Sequence, residues 1–253
     1  MQQSVHPESG DVRREPIVKV LSRMGVRRFS AIELLIILVL WIVAASLLWN
    51  IKYGDLIEAG LTTLVLFSAV VAVSTSRRTL VTATLLAVPA FTCKWVSHVR
   101  PDVMPPEVHM AGAIVFMVFL VGHFLRFILR SPKVTSEVLC TAISAYLLIG
   151  ILWALAYILI AELVPGSFSF AAGSTPGRAM KGFDAVYFSF VTLCTVGYGD
   201  VIPVSRGAQL LAIVEAATGM FYVTMLIARL VALYSSEKPS GTGPTKSPPE
   251  GSG

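Results

Sequence analysis

The sequence contains few charged residues for its length. Asp, Glu, Lys and Arg make up 14% of the 253 residues and hydrophobic residues make up 55%, whereas typical soluble domains carry about 25% charged residues. This composition excludes an ordinary soluble domain and predicts an all-α membrane protein. The net charge of +5 is compatible with nucleic-acid binding, but its distribution along the chain predicts membrane orientation, so no nucleic-acid partner is expected.

The sequence also lacks the patterns of a metal site or an enzyme. Its three cysteines, Cys93, Cys140 and Cys194, lie in apolar sequence without the spacing of metal ligands. No convergent set of ionisable residues indicates a catalytic pocket, so neither a cofactor nor an enzymatic activity is expected. The N-terminus shows no short apolar core followed by a small-residue cleavage site, which predicts that there is no removable signal peptide.

Six apolar stretches have about the length that a helix needs to cross a bilayer, which is roughly 20 residues. They predict six transmembrane helices. They cover about residues 31–51, 56–74, 80–96, 110–129, 136–163 and 207–234. Between the fifth and sixth, residues 164–181 are expected to form an irregular loop. Phe183–Leu193 then predicts a short re-entrant pore helix, which is followed by non-helical backbone. Such backbone is tolerated at membrane depth only where protein surrounds it or water lines it.

The distribution of Lys and Arg predicts the orientation. With six crossings, both termini lie on one side, and 14 of the 20 Lys and Arg residues fall on that side. The positive-inside rule therefore places both termini in the cytosol. We expect a multi-pass protein of the cell (plasma or inner) membrane with four parts: a basic N-terminal segment (1–30), a four-helix transmembrane domain (31–133), a pore domain (134–235) and a disordered tail (236–253).

Residues 195–200, Thr-Val-Gly-Tyr-Gly-Asp, follow the short helix. A cation that leaves water needs replacement oxygens, and backbone carbonyls supply them only if successive carbonyls point to one side. An ordinary strand alternates its groups between faces, whereas backbone that repeatedly visits left-handed φ/ψ does not, and glycine visits that region without a Cβ penalty. Gly197 and Gly199 have the spacing for this alternation. The order of helices around the segment disfavours an accidental Gly-rich turn.

The segment resembles the selectivity filter of potassium channels. The resemblance implies K⁺ bound at Thr195, Val196, Gly197 and Tyr198, with Gly199 completing the filter and Asp200 at its outer mouth. One loop forms only one wall, so the resemblance also implies a homotetramer in the lipid bilayer, with K⁺ as the only permeant species. Val196 and Tyr198 are expected to point away from the axis and to brace the loop against helix.

The family resemblance assigns further roles around the filter. Tyr187 and Phe188 resemble the paired aromatics that pack around the filter, and Thr192 lies at the base of the same helix. Gly219 matches a hinge glycine, although a small residue for close helix packing explains it equally well. The resemblance also implies that one apolar row of the sixth helix lines the pore and could form its gate. This row consists of Met220, Val223, Ile227 and Val231. An outward packing stripe is the alternative for that row.

Glu215 is unusual because a carboxylate inside a membrane helix is costly and marks a functional site by default. We expect this carboxyl group either to be protonated or to bond to the base of the pore helix, for instance to Ser189 or Thr192. A purely structural hydrogen bond is the alternative. Cys194 is expected to pack behind the filter.

The first four helices resemble the voltage-gated channel plan only in layout. That plan needs regularly spaced arginines in the fourth helix, and this helix carries only Arg126 and Arg130 at its end. Steep voltage gating is therefore not expected. The leading hypothesis is a potassium-selective channel, with a weakly selective cation channel or a regulatory subunit of another channel as alternatives. A transporter is disfavoured because two interrupted helices would be expected.

Overall fold

The computed structural model describes residues 17–48, 54–73, 77–99, 106–133, 135–171 and 179–236. Within these ranges the chain forms seven α-helices and two short strands. The N-terminal residues 1–16 and the tail 237–253, for which we expect disorder, lie outside the described residues. In chain order the elements are α1 Ile17–Leu48, α2 Gly54–Val73, α3 Arg77–Val99, α4 Pro106–Arg130, α5 Ser136–Leu163, β1 Phe168–Phe170, α6 Phe183–Leu193, β2 Val201–Pro203 and α7 Arg206–Ser236.

The predicted helices are all present, and α5 and α6 begin and end at the predicted residues. The first helix differs, because α1 begins at Ile17 and continues without a break into the apolar stretch that starts at Ala31. Residues 17–28 of the basic N-terminal segment are therefore helical and belong to the same helix as the first apolar stretch.

Three helices are long and apolar enough to cross a membrane in the part of the chain that the structure describes. They are Met110–Arg130, Ser136–Leu163 and Arg206–Ala232. Shorter apolar helical segments, Ala31–Leu47, Gly60–Ala72 and Thr79–Cys93, coincide with the first three predicted crossings. The protein is therefore a mostly helical membrane protein, and the number of six crossings remains a prediction.

Two hydrophobic cores hold the helices together. The first joins α1 to α4 with the beginning of α5, around buried side chains such as Leu38, Phe116 and Leu148. The second lies between the end of α5 and α6, where Tyr157 and Phe188 pack. Because α5 contributes to both cores, it fixes α6 relative to the first four helices.

Two short strands bracket α6 and the segment that follows it. β1 and β2 pair antiparallel, with Ser169 opposite Ile202. The pairing extends at both ends, since Ala171 N donates to Asp200 O at 2.8 Å and Val204 N donates to Ser167 O at 2.7 Å. The prediction of a wholly irregular loop over 164–181 is therefore wrong at residues 168–170. This pairing fixes the position of Asp200.

The C-terminal half of α7 is attached to the beginning of α5 and to the turn before it. The Tyr222 hydroxyl donates to Ala142 O at 2.6 Å, and Arg229 Nη2 donates to Ser131 O at 2.6 Å. The Tyr222 ring also packs against Tyr146, with centroids 5.5 Å apart. These contacts connect α7 with both α5 and the end of α4.

Candidate functional site

Helix α6 directs the Thr195–Asp200 segment. It packs closely on α5, where a Cβ on Gly150 would lie 2.6 Å from the Phe190 ring. The Ser189 hydroxyl lies 2.7 Å from Gly150 O. A side chain at position 150 would therefore require the Phe190 ring to move.

The backbone after α6 adopts positive φ at every second residue. Positive φ occurs at Thr195 (56°), Gly197 (59°) and Gly199 (77°). The left-handed conformation predicted for the two glycines is present. Thr195 adopts it as well, and non-glycine residues rarely do so. Positive φ at every second residue is the arrangement that lets successive carbonyls share one side.

The amides of this segment are bonded back to α6. Thr195 N donates to Thr192 O at 2.9 Å, and Val196 N donates to Val191 O at 2.9 Å. Gly197 N approaches the same Val191 oxygen at 3.4 Å. No donor from the described residues meets a carbonyl oxygen of residues 195–199. The amides of Thr195, Val196 and Gly197 are therefore occupied, while the carbonyl oxygens of residues 195–199 remain available to a cation.

The side chains of Val196 and Tyr198 are 52% and 70% exposed on the single chain. Their expected contact with helix is therefore not made within this chain and remains a prediction. Cys194 is also exposed, and its Sγ lies 3.3 Å from the Tyr146 hydroxyl. This contact places Tyr146 of α5 next to the base of the segment.

Asp200 is held from two directions. The Tyr187 hydroxyl donates to Asp200 Oδ2 at 2.8 Å, and Val201 N donates to Oδ1 at 3.1 Å. The hydrogen bond to the Asp200 carboxylate is the main cause that raises the pKa of Tyr187 above its ordinary value, followed by burial and the carboxylate charge. Tyr187 therefore remains a donor at neutral pH and connects the start of α6 with the far end of the loop.

Phe188, the next residue of α6, belongs to an aromatic cluster. Its ring centroid lies 4.8 Å from Tyr157 and 5.6 Å from Phe168, both edge-on. Aromatic pairs at these distances add about 0.5–1.5 kcal/mol beyond their buried area. Thr192, the third predicted support, contributes its carbonyl to the Thr195 amide. The cluster joins α5, β1 and α6.

Glu215 of α7 is completely buried against α6 and α5. Ser189 Oγ lies 2.5 Å from Glu215 Oε1, which is the predicted contact. The Tyr157 hydroxyl donates to the other carboxyl oxygen, Oε2. The carboxyl group therefore joins all three helices around the filter segment.

Sequence analysis did not identify Tyr157. A signal was present, because a tyrosine hydroxyl in an apolar membrane helix needs a polar partner, and Glu215 is the conspicuous acceptor in the adjacent helix. The 58 residues between them conceal the pair in the linear sequence.

Gly219 packs directly on the end of α6. A Cβ there would collide with the Leu193 carbonyl oxygen and would lie 3.0 Å from the carbonyl carbon and 3.2 Å from Leu193 Cδ1. The packing interpretation thus has a direct structural basis, whereas the hinge remains a prediction.

We expect Gly219→Ala to lower the free energy of unfolding of the purified protein by about 1–3 kcal/mol, because backbone atoms of α6 would have to move. Gly122→Ala on α4 is the matched control, since a Cβ there meets nothing within 4 Å. Thermal unfolding in detergent measures both. Equal stability of the two variants would contradict the contact.

The predicted pore-lining side chains of α7 are all exposed on the single chain: Met220 62%, Val223 43%, Ile227 55% and Val231 58%. Phe221 and Met225, at other positions around the helix, are exposed to a similar extent. Exposure alone does not separate pore lining from lipid contact, so the gate remains a prediction.

Comparisons with known proteins identify this region. The family described as "Ion channel" matches residues 157–236. The Two pore potassium channel c of Oryza sativa subsp. japonica is 41% identical over 69 residues, 27% of this chain and 14% of the relative. Two-pore potassium channel 4 of Arabidopsis thaliana is 45% identical over 49 residues, 19% of this chain and 17% of the relative. The chain thus spans less than a fifth of these two plant proteins.

A viral relative is covered to a much greater extent. The Potassium channel protein kcv of Paramecium bursaria Chlorella virus 1 is 33% identical over 72 residues, which are 28% of this chain and 76% of the relative. The similarity thus covers most of a complete, small potassium channel protein. The chain belongs to the potassium channel pore family.

Proposed function

We propose that the protein is a potassium-selective channel that conducts K⁺ passively through Thr195–Gly199. The observation that carries the proposal is the positive φ at Thr195, Gly197 and Gly199. With the amides bonded to α6, the carbonyl oxygens of residues 195–198 and the Thr195 hydroxyl are the groups that replace the water around K⁺. No chemical step and no cofactor are needed, and the protein is not an enzyme.

The pore is formed by four copies of the chain. Two features of the single chain support this assembly. Val196 and Tyr198 are 52% and 70% exposed, and only 11% of the most apolar window of α7 is buried. A second subunit against these surfaces would bury both. In the tetramer four Thr195–Gly199 segments surround one axis, and the apolar row on α7 that contains Met220 lines the inner passage.

The membrane arrangement follows from the charge distribution and the helix positions. Residues 31–133 cross four times and residues 134–235 form the pore, with both termini in the cytosol of a plasma or inner membrane. Asp200 then lies at the outer mouth, where its charge raises the local cation concentration. Arg126 and Arg130 serve as cytosolic anchors instead of gating charges, since they lie in the last turn and a half of α4.

Flux from the purified protein in liposomes tests the proposal. Under matched K⁺ and Na⁺ gradients, the K⁺ rate should greatly exceed the Na⁺ rate, with empty liposomes as the control. Equal rates would support the weakly selective cation channel instead. Absence of flux for both ions from a correctly assembled protein would support the regulatory subunit.

A further inference from the structure

A cavity of about 470 Å³ lies between the first four helices and the pore half of the chain. Residues of α1 to α6 all contribute to its walls. Among them are Trp41, Thr62, Ala90, Met117, Ile158 and Phe183. The cavity therefore reaches the first turn of α6, the helix that carries the filter segment.

The walls are apolar except at one end. Inside, the Trp41 indole Nε1 donates to Thr62 Oγ1 at 3.1 Å, so these two polar groups already satisfy each other. Lys181 and Glu162 also line the cavity and form an ion pair with 3.9 Å between Nζ and Oε1. Lys181 is 59% exposed, whereas Met117 on the opposite wall is 6% exposed. The cavity thus leads from an apolar interior to a charged opening.

The volume and polarity of the cavity define the chemistry of its occupant. An apolar cavity of about 150 Å³ binds benzene and excludes water. By proportion, 470 Å³ holds on the order of 18 carbon atoms. Water is a poor occupant because each buried molecule needs two to four polar partners. A long apolar molecule with a polar end fits both the walls and the opening.

We propose that this cavity binds one unbranched acyl chain, with its polar head at Lys181 and Glu162. The membrane in which the protein resides supplies such chains, either as part of a phospholipid or as a free fatty acid. The bound chain contacts Phe183 at the start of α6. This inference goes beyond ion conduction, because binding is measured without any ion flux.

Photolabelling of the full chain in liposomes tests the site. The two probes are a phosphatidylcholine and a free fatty acid, each carrying a diazirine on the same acyl chain, and labelled residues are mapped by mass spectrometry. With at least one probe we expect labelling of interior wall residues such as Met117 and Ile158. The probe with the higher yield identifies the source of the chain.

Ala113→Phe fills the cavity from α4, because Ala113 lines it. This variant should reduce wall labelling at least about tenfold. Ala111→Phe is the matched control, since Ala111 lies on the same helix, is exposed and does not line the cavity; its labelling should equal that of the wild type. If Ala113→Phe does not assemble by gel filtration, Ala90→Phe fills the same cavity from α3.

One result would overturn the proposal. In it, the label is confined to outward-facing residues such as Leu85 and Val118, which are 71% and 54% exposed, and the cavity-filling variants do not change the labelling. Since a protein that carries no current is labelled in the same way, failure here is distinct from failure of the proposed channel function.

Discussion

Gly197→Asp is expected to abolish potassium flux while the protein remains assembled. The residue has φ +59°, a conformation that aspartate tolerates better than most residues, so strain of the loop is the smaller effect. The larger effect is a carboxylate introduced among the carbonyl oxygens of the proposed filter, which disrupts the coordination of a dehydrated ion. We expect a loss of more than about 100-fold in the K⁺ rate in liposomes.

Gly166→Asp provides the control for this substitution. Gly166 also has positive φ (+81°), and a Cβ there meets nothing within 4 Å, but it lies in the turn between α5 and β1, outside the filter segment. Charge and backbone strain change in the same way, and flux should persist. Selective K⁺ flux through a correctly assembled Gly197→Asp protein would defeat the filter assignment.

Glu215→Leu is expected to destabilise the protein. The leucine leaves the fully buried Tyr157 hydroxyl without its acceptor, whereas the Ser189 hydroxyl can still donate to Gly150 O at 2.7 Å. An unsatisfied buried group costs about 1–3 kcal/mol, so a loss of about 1–3 kcal/mol in the free energy of unfolding is expected. Glu215→Gln retains a carbonyl acceptor and the shape of the side chain, and should lose less. Thermal unfolding of the purified protein measures the difference.

A double-mutant comparison separates the hydrogen bond from packing. Tyr157→Phe removes the hydroxyl that loses its acceptor in Glu215→Leu, so the double variant should be more stable than the sum of the two single losses predicts. Additive losses would mean that the Tyr157–Glu215 bond does not stabilise the protein. The channel would then have to be supported at this position by packing alone.

Much of the architecture was predictable because the strongest local signals agree with the global fold. The limits of α5 follow from signals near its ends: Thr135 caps the helix, accepting from Val138 N, and Pro165 follows its last turn. The alternation at Gly197 and Gly199 follows from residue type, since only glycine adopts it without cost.

The features that were missed depend on contacts between distant residues. The β1–β2 pair joins three-residue strands that lie about thirty residues apart in the chain, and each strand alone is too short to give a recognisable pattern. Tyr157 is ordinary in an apolar helix until α7 brings Glu215 to it. The contact of Gly219 with the Leu193 carbonyl is likewise visible only in three dimensions, because α6 and α7 are separated by the whole filter segment.

The two hydrogen bonds from Tyr222 and Arg229 have a mechanical consequence. If the C-terminal half of α7 moves away from α5, it must either break both bonds or pull Ala142 and the Ser131 turn with it. The end of α4 is thus attached directly to α7. In the proposed channel, a displacement of α4 would be transmitted to α7 through this same attachment.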